Sequence, residues 1–213
     1  MKNAILCLLA SAAVTLSLAF RVAPAPVAPA SSVSAAAARP APPTGGESEG
    51  PIRQHADAFR DSLFYGFYSQ ELGVALDHEA DKSLIETVTR WLGAPYRSGG
   101  STERGTDCSG FVMRAYQQAY GITLVHSSGG LFQRTARVKR TEMREGDLVF
   151  FRRSKRSPIY HVGIYLRDGK FVHSQSHKGV MVSSLHEGYW GRNYCGAGRV
   201  ALPPGVAARQ NEG

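Results

Sequence analysis

The stretch Gly105-Thr106-Asp107-Cys108-Ser109-Gly110-Phe111 decides the reading of this 213-residue chain. Phe111, Val112, Ala115, Tyr116 and Ala119 recur at helical spacing and Gly121 follows, so a helix is predicted from Cys108 to Tyr120. Thr106 or Asp107 can cap its start. A cysteine therefore stands in the first turn of a helix. Unpaired amide N–H groups carry partial positive charge there, which favours thiolate over thiol and predicts a lowered cysteine pKa. The same amides can hold a developing oxyanion. A nucleophile needs a base, and the base needs an orienting group. His161 and His173 fall on two strands predicted to be adjacent and can supply both.

Working outward, Asp81 reads as the N-cap of a helix whose stripe is Leu84, Ile85, Val88, Trp91 and Leu92, with Gly93 and Pro95 as stop signals. Phe59, Leu63, Phe64, Phe67 and Leu72 predict a further helix over 57–72 that packs on the domain through these residues. Downstream the pattern changes to period two and to short apolar runs. Residues 147–151, 160–166, 170–174, 180–185 and 198–202 read as five strands. Helices first and strands afterwards imply an α+β domain with an antiparallel sheet.

The hairpin between the histidines offers two registers. A two-residue Asp168-Gly169 turn puts His161 and His173 on opposite faces. A three-residue loop, Arg167-Asp168-Gly169, makes Leu166 oppose Lys170 and His173 oppose Gly163. The histidines are then diagonal neighbours on one face, roughly 7–8 Å apart along the backbone. The second register is expected, with a type I turn closed by a left-handed Gly169 and both histidines on the Cys108 side of the sheet.

The ends read differently. Lys2 followed by an uncharged run over 4–20 marks residues 1–30 as an export signal, with an uncleaved anchor as the competing reading. Residues 31–52 are an Ala/Pro-rich linker, 53–203 the folded domain and 204–213 a C-terminal tail. The formal net charge of +8 suits an anionic partner. Export argues against nucleic acid as that partner. A monomer is expected, with no stable membrane insertion once the signal is removed. Three cysteines, Cys7, Cys108 and Cys195, form no disulfide framework, and Cys195 is expected to be reduced and structural.

Several motifs stand in order: Gly93-Ala94-Pro95-Tyr96-Arg97-Ser98-Gly99-Gly100, the Cys108 stretch, Glu145-Gly146-Asp147-Leu148-Val149-Phe150-Phe151, His161-Val162-Gly163-Ile164-Tyr165 and Phe171-Val172-His173-Ser174. Over roughly 72–200 this set resembles the NlpC/P60 family. The resemblance implies a papain-like fold, with N-terminal helices packed on an antiparallel five-strand sheet. It implies Cys108 as nucleophile, His161 as general base, His173 as orienting residue and Tyr96 with its hydroxyl near the thiol. Asp107 and Ser109 match the residues flanking the nucleophile, Arg97 lies near it, and these three with Ser98 are expected to bind substrate. Ser98 replaces an aromatic frequent in the family and alters one wall of that groove.

The activity implied is cysteine-type cleavage of peptidoglycan stem-peptide amides involving D-amino acids and diaminopimelate, in the periplasm or cell envelope, without metal or organic cofactor. Arg152, Arg153, Lys155 and Arg156 suit the carboxylates of such peptides. Read singly, each is a solvated charge. Three competing readings remain: a related thiol amidase or acyltransferase on another amide, a zinc ion held by Cys108, His161 and His173, and a non-catalytic wall-binding protein.

Overall fold

The computed structural model describes residues 49–202 and 204. The segments expected as export signal, most of the linker and nearly all of the C-terminal tail lie outside the described residues. Five α-helices are present among those described: α1 (Glu49–Leu72), α2 (Lys82–Trp91), α3 (Cys108–Tyr120), α4 (Ser128–Arg134) and α5 (Gly188–Asn193). The strands are β1 (Ser101–Thr102), β2 (Gly105–Thr106), β3 (Ala136–Val138), β4 (Leu148–Phe151), β5 (His161–Tyr165), β6 (Lys170–Gln175), β7 (Gly179–Ser184) and β8 (Tyr194–Arg199). No helix of the described residues is long and apolar enough to cross a membrane.

β1 and β2 form a small hairpin, and the others form one antiparallel sheet in the order β3-β8-β4-β5-β6-β7. The sheet has six strands where five were expected. The extra strand is β3, short and half exposed at the edge, so it carries no alternating pattern to read. The last strand begins at Tyr194, ahead of the expected 198, because it is threaded with glycines that mask a strand signal. Gly198 is required there: a Cβ would come within 2.2 Å of the Thr135 hydroxyl oxygen. Two helices escaped the sequence reading for the same reason, since α4 contains Gly129 and Gly130 and α5 contains Gly188 and Gly191.

Capping explains the two central helices. Asp81 accepts the Leu84 N–H and opens α2, while Asp107 accepts the Gly110 N–H at 2.7 Å and opens α3. Gly121, in the left-handed region, ends α3. α2 and α3 bury Leu84, Ile85, Val88, Trp91, Phe111, Val112 and Ala115 against Leu148, Phe150, Val162, Ile164 and Val172 on one face of the sheet. The other face carries a smaller cluster of Val149, Phe151, Phe171, Leu185, Trp190 and Ala197, which α5 covers.

α1 starts at Glu49, ahead of the expected 57, and its packing differs from the expectation. Tyr65 and Leu72 are buried and Phe64 and Tyr68 lie against the core, whereas Phe59, Leu63 and Phe67 are 65%, 59% and 55% exposed. The helix carries two apolar stripes, and the domain covers only one.

Candidate active site

Cys108 is buried at the first residue of α3. Its sulfur accepts the backbone N–H of Val162, the residue after His161, and the amides of Ser109 and Cys108 itself also favour the thiolate. Residue-by-residue pairing of β5 with β6 covers Ile164 with Val172 and Tyr165 with Phe171, and stops before the histidines. That gap leaves the Val162 N–H to the thiol. Ser174, on β6 at the same level, turns its hydroxyl to the Thr106 carbonyl at 2.8 Å.

The expected lowering of the cysteine pKa is reversed. Burial pushes the Cys108 thiol up to about 11, and the charge of Asp107 adds to it. The three amides act in the expected direction but do not outweigh lost solvation.

His161 Nε2 lies 2.9 Å from His173 Nδ1, and both rings are buried. The expected register is present. Leu166 donates its N–H to the Lys170 carbonyl at 2.9 Å, and the same alignment sets His173 against Gly163. A Cβ on Gly163 would lie 3.2 Å from that of His173 and 2.7 Å from the Phe171 ring. The turn itself differs from the type I expectation. Asp168 and Gly169 both have positive φ, 52° and 74°, and Lys170 donates to the Arg167 carbonyl, as in a primed turn. Arg167 is the extra residue that preserves the register, and its guanidinium pairs with Asp77.

A second correction concerns the face. Alternation on β5 sends Val162 and Ile164 toward α3 and Cys108, so His161 and His173 lie on the face of Phe151, Phe171 and Trp190. Cys108 reaches β5 at its open end, through the Val162 amide, instead of across a shared face. Trp190 stacks on His161 with ring centroids 5.1 Å apart and planes at 29°, and meets His173 edge-on at 4.6 Å. Burial drives the His161 pKa down to about 4, against the opposing charge of Asp107. Burial, then His161, drives His173 well below its ordinary value. Both rings rest neutral.

Tyr96 bridges to Thr106, two residues before the cysteine. Burial raises its phenol pKa, the nearby Cys108 adds to this, and the facing Ser98 side chain works against it. Asp107 is a hub: it accepts from Gly110 N–H at 2.7 Å, His126 Nε2 at 2.9 Å, Gly99 N–H at 2.9 Å and Ser109 Oγ at 3.1 Å. Burial alone would raise its pKa, but these donors hold it below the ordinary value. Asp107 and Ser109, expected at the substrate, are thus committed to shaping the loop and helix start. Arg97 is exposed, with its stem over Gly105.

Sequence reasoning missed Ser183, whose hydroxyl lies 3.1 Å from His173 Nε2, and also missed His126 and Trp190. Only Trp190, an apolar residue in a segment read as loop, left a signal that could have been followed. Among the described residues, no group of three His, Cys, Asp or Glu side chains is placed to hold a metal ion.

A cysteine at a helix start, tied to the Val162 amide one residue after His161, and a hydrogen-bonded pair of histidines on β5 and β6 make a construction suited to covalent thiol acyl transfer. Residues 93–199 match the model of the NlpC/P60 family, and the chain belongs to that family. It is similar to the murein DD-endopeptidase MepS/murein LD-carboxypeptidase of Escherichia coli K12, 41% identical over 117 residues, which is 55% of this chain and 61% of the relative. It is also similar to a probable endopeptidase NlpC homolog of Haemophilus influenzae, 38% identical over 120 residues, 56% of this chain and 63% of the relative. The chain thus spans about three fifths of the length of both relatives. Among solved structures, an NlpC/P60 family protein from Bacillus cereus superposes with a TM-score of 0.54 at 33% identity, covering 58% of this chain and 41% of that one.

Proposed function

We propose that the protein is a cysteine-type peptidoglycan endopeptidase, cutting stem-peptide or cross-link amides that involve D-amino acids and diaminopimelate. The observation that carries this reading is the buried 2.9 Å bond between His161 and His173, together with a cysteine at a helix start that meets the amide of Val162, the residue after His161. The relative named a murein DD-endopeptidase supports the substrate class.

Cys108 starts neutral. As its sulfur attacks the amide carbonyl, the thiol proton passes to His161, and the Val162, Ser109 and Cys108 amides stabilise the charge left behind. The Cys108 N–H and the Tyr96 hydroxyl hold the oxyanion. The C–N bond breaks, and protonated His161 gives its proton to the leaving amine. Water, deprotonated by His161, then adds to the thioester, and the C–S bond breaks to restore the thiol. Nothing in this cycle calls for a metal or an organic cofactor.

Residues 1–30 direct export, and the Ala/Pro-rich stretch before α1 spaces the domain from its point of release in the cell envelope. The enzyme acts as a monomer on the anionic wall, to which the net charge of +6 left once Lys2 and Arg21 go with the signal is suited.

Digestion of purified peptidoglycan with the described domain, followed by mass spectrometry of the muropeptides, tests the reading. New fragments cut at one amide, absent with Cys108→Ala, are expected. An unchanged muropeptide profile with folded wild-type protein would overturn it.

A further inference from the structure

One wall beside His161 has an architecture the reaction does not yet use. Trp190, only 5% exposed, stacks on His161. It meets the Tyr189 ring edge-on at 5.0 Å, and Tyr189 is 50% exposed. The Tyr189 hydroxyl lies 3.2 Å from that of Tyr160. The Arg153 guanidinium stands over the Tyr160 ring, 5.5 Å from its centroid. A continuous ledge therefore runs from the base, across aromatic surface, to a fixed cation.

The loop bearing that cation is pinned to its neighbours. Arg152 donates its N–H to the Asn193 carbonyl at 2.9 Å, and Tyr160 donates to the Phe151 carbonyl at 3.1 Å. Arg153, Lys155 and Arg156 are exposed, and none of them forms an ion pair with an acid among the described residues. The acid at the start of α5, Glu187, is occupied by the Ser184 N–H at 2.9 Å. A guanidinium held over an aromatic ring has less freedom to lose on binding than a free one, and its fork matches a carboxylate.

The base must hand its proton to the leaving nitrogen from hydrogen-bond distance. The fragment carrying that nitrogen therefore lies against whatever flanks His161. We infer that the ledge of Tyr189, Tyr160 and Arg153 is the leaving-group subsite, and that it takes a carboxylate carried by the amine-side half of the substrate. This rests on the endopeptidase reading and adds what the enzyme recognises beyond the scissile bond.

The test uses two purified cross-linked muropeptide dimers, one with the carboxylate next to the cleaved amine free and the other with it amidated. Wild-type protein should cut the free acid with the lower KM. Arg153→Gln should raise that KM roughly fivefold to tenfold at unchanged kcat and leave the amidated dimer unaffected, so that the preference disappears. Arg153 is exposed, so the variant should fold. If wild-type protein cuts both dimers and Arg153→Gln keeps the preference, the subsite is overturned and the endopeptidase reading stands. If wild-type protein cuts neither, the endopeptidase reading itself falls.

Discussion

His161 and His173 share a hydrogen bond of 2.9 Å with almost no exposure to solvent, and this bond fixes which nitrogen does what. Nε2 of His161 is engaged, so Nδ1 is the nitrogen left to take the thiol proton. A neutral His161 with a free Nδ1 carries its own proton on Nε2 and donates it to His173 Nδ1. His173 must then hold its proton on Nε2, where Ser183 Oγ accepts it at 3.1 Å. These tautomers follow by elimination from the heavy-atom positions.

Ser183→Ala removes that acceptor. It leaves a buried N–H without a partner, at a cost of about 1–3 kcal/mol, and frees His173 to adopt the tautomer that cannot accept from His161. The expected outcome is a fall in kcat of about tenfold with KM unchanged, and recovery in Ser183→Thr, which keeps the hydroxyl. Steady-state kinetics of the two variants check this. A merely structural role would lower the melting temperature and spare kcat in the surviving protein.

Within the catalytic set the losses should be ranked. Cys108→Ala should lower kcat by about 10⁴-fold or more, and His161→Ala nearly as much, because nucleophile and base act as one unit. His173→Ala should be milder by one to two decades, since it removes orientation and leaves the proton acceptor in place. Single-turnover rates on a defined muropeptide measure the order. A His173→Ala loss equal to that of His161→Ala would place His173 in the proton transfer itself.

Two buried groups give opposite pH dependences of stability. His161 is depressed to about 4, so between that value and its ordinary 6.5 the unfolded chain binds the extra proton, and stability falls as pH drops through this window. Its contribution is about 3 kcal/mol. Glu145 is raised to about 7 by burial, with the charge of Asp81 adding, and its Oε2 is buried without a partner. The native state holds that proton more tightly, so stability falls as pH rises from the ordinary carboxylate range through 7. Urea unfolding across pH 4 to 8.5 separates the two. Glu145→Gln should be more stable than wild type at pH 8 by up to about 3 kcal/mol and nearly equal to it at pH 5. His161→Gln should flatten the acid limb.

Gly163→Ala tests the close packing of β5 on β6. The added Cβ would sit 2.9 Å from the Val172 carbonyl oxygen and 3.2 Å from His173 Cβ, so backbone must move. A loss of about 1–3 kcal/mol is expected, together with a fall in kcat as His173 shifts. Denaturant midpoints and kcat measured together check it. A stable variant with full activity would show that this approach is not needed to seat His173.

Local chemistry made much of the protein legible in its sequence. Asp81, Asp107 and Gly121 mark helix ends wherever they stand, because a cap is a bond to a neighbour in the chain. Four strands, β4 to β7, announced themselves by apolar runs. The histidine register followed from counting residues across a turn, since one residue more or less turns a whole strand over. Even so, the turn took a primed form with Arg167 as the extra residue, because Asp tolerates the left-handed region and Arg167 is engaged by Asp77 far away in the chain.

Tertiary structure decided the rest. The sequence placed Cys108 at a helix start and argued for a thiolate, yet burial of the sulfur reverses the shift, and burial depends on what the fold lays over a residue. β3 and the glycine-bearing helices α4 and α5 carry little local preference and form because neighbouring elements hold them. Alternation along β5 set the histidines away from the face of Cys108, and an interrupted strand pairing brought the Val162 amide to the sulfur. Ser183, His126 and Trp190 carry no motif of their own. Each acquires its place from a contact made across the fold, and such contacts depend on three-dimensional proximity that no spacing along the chain records.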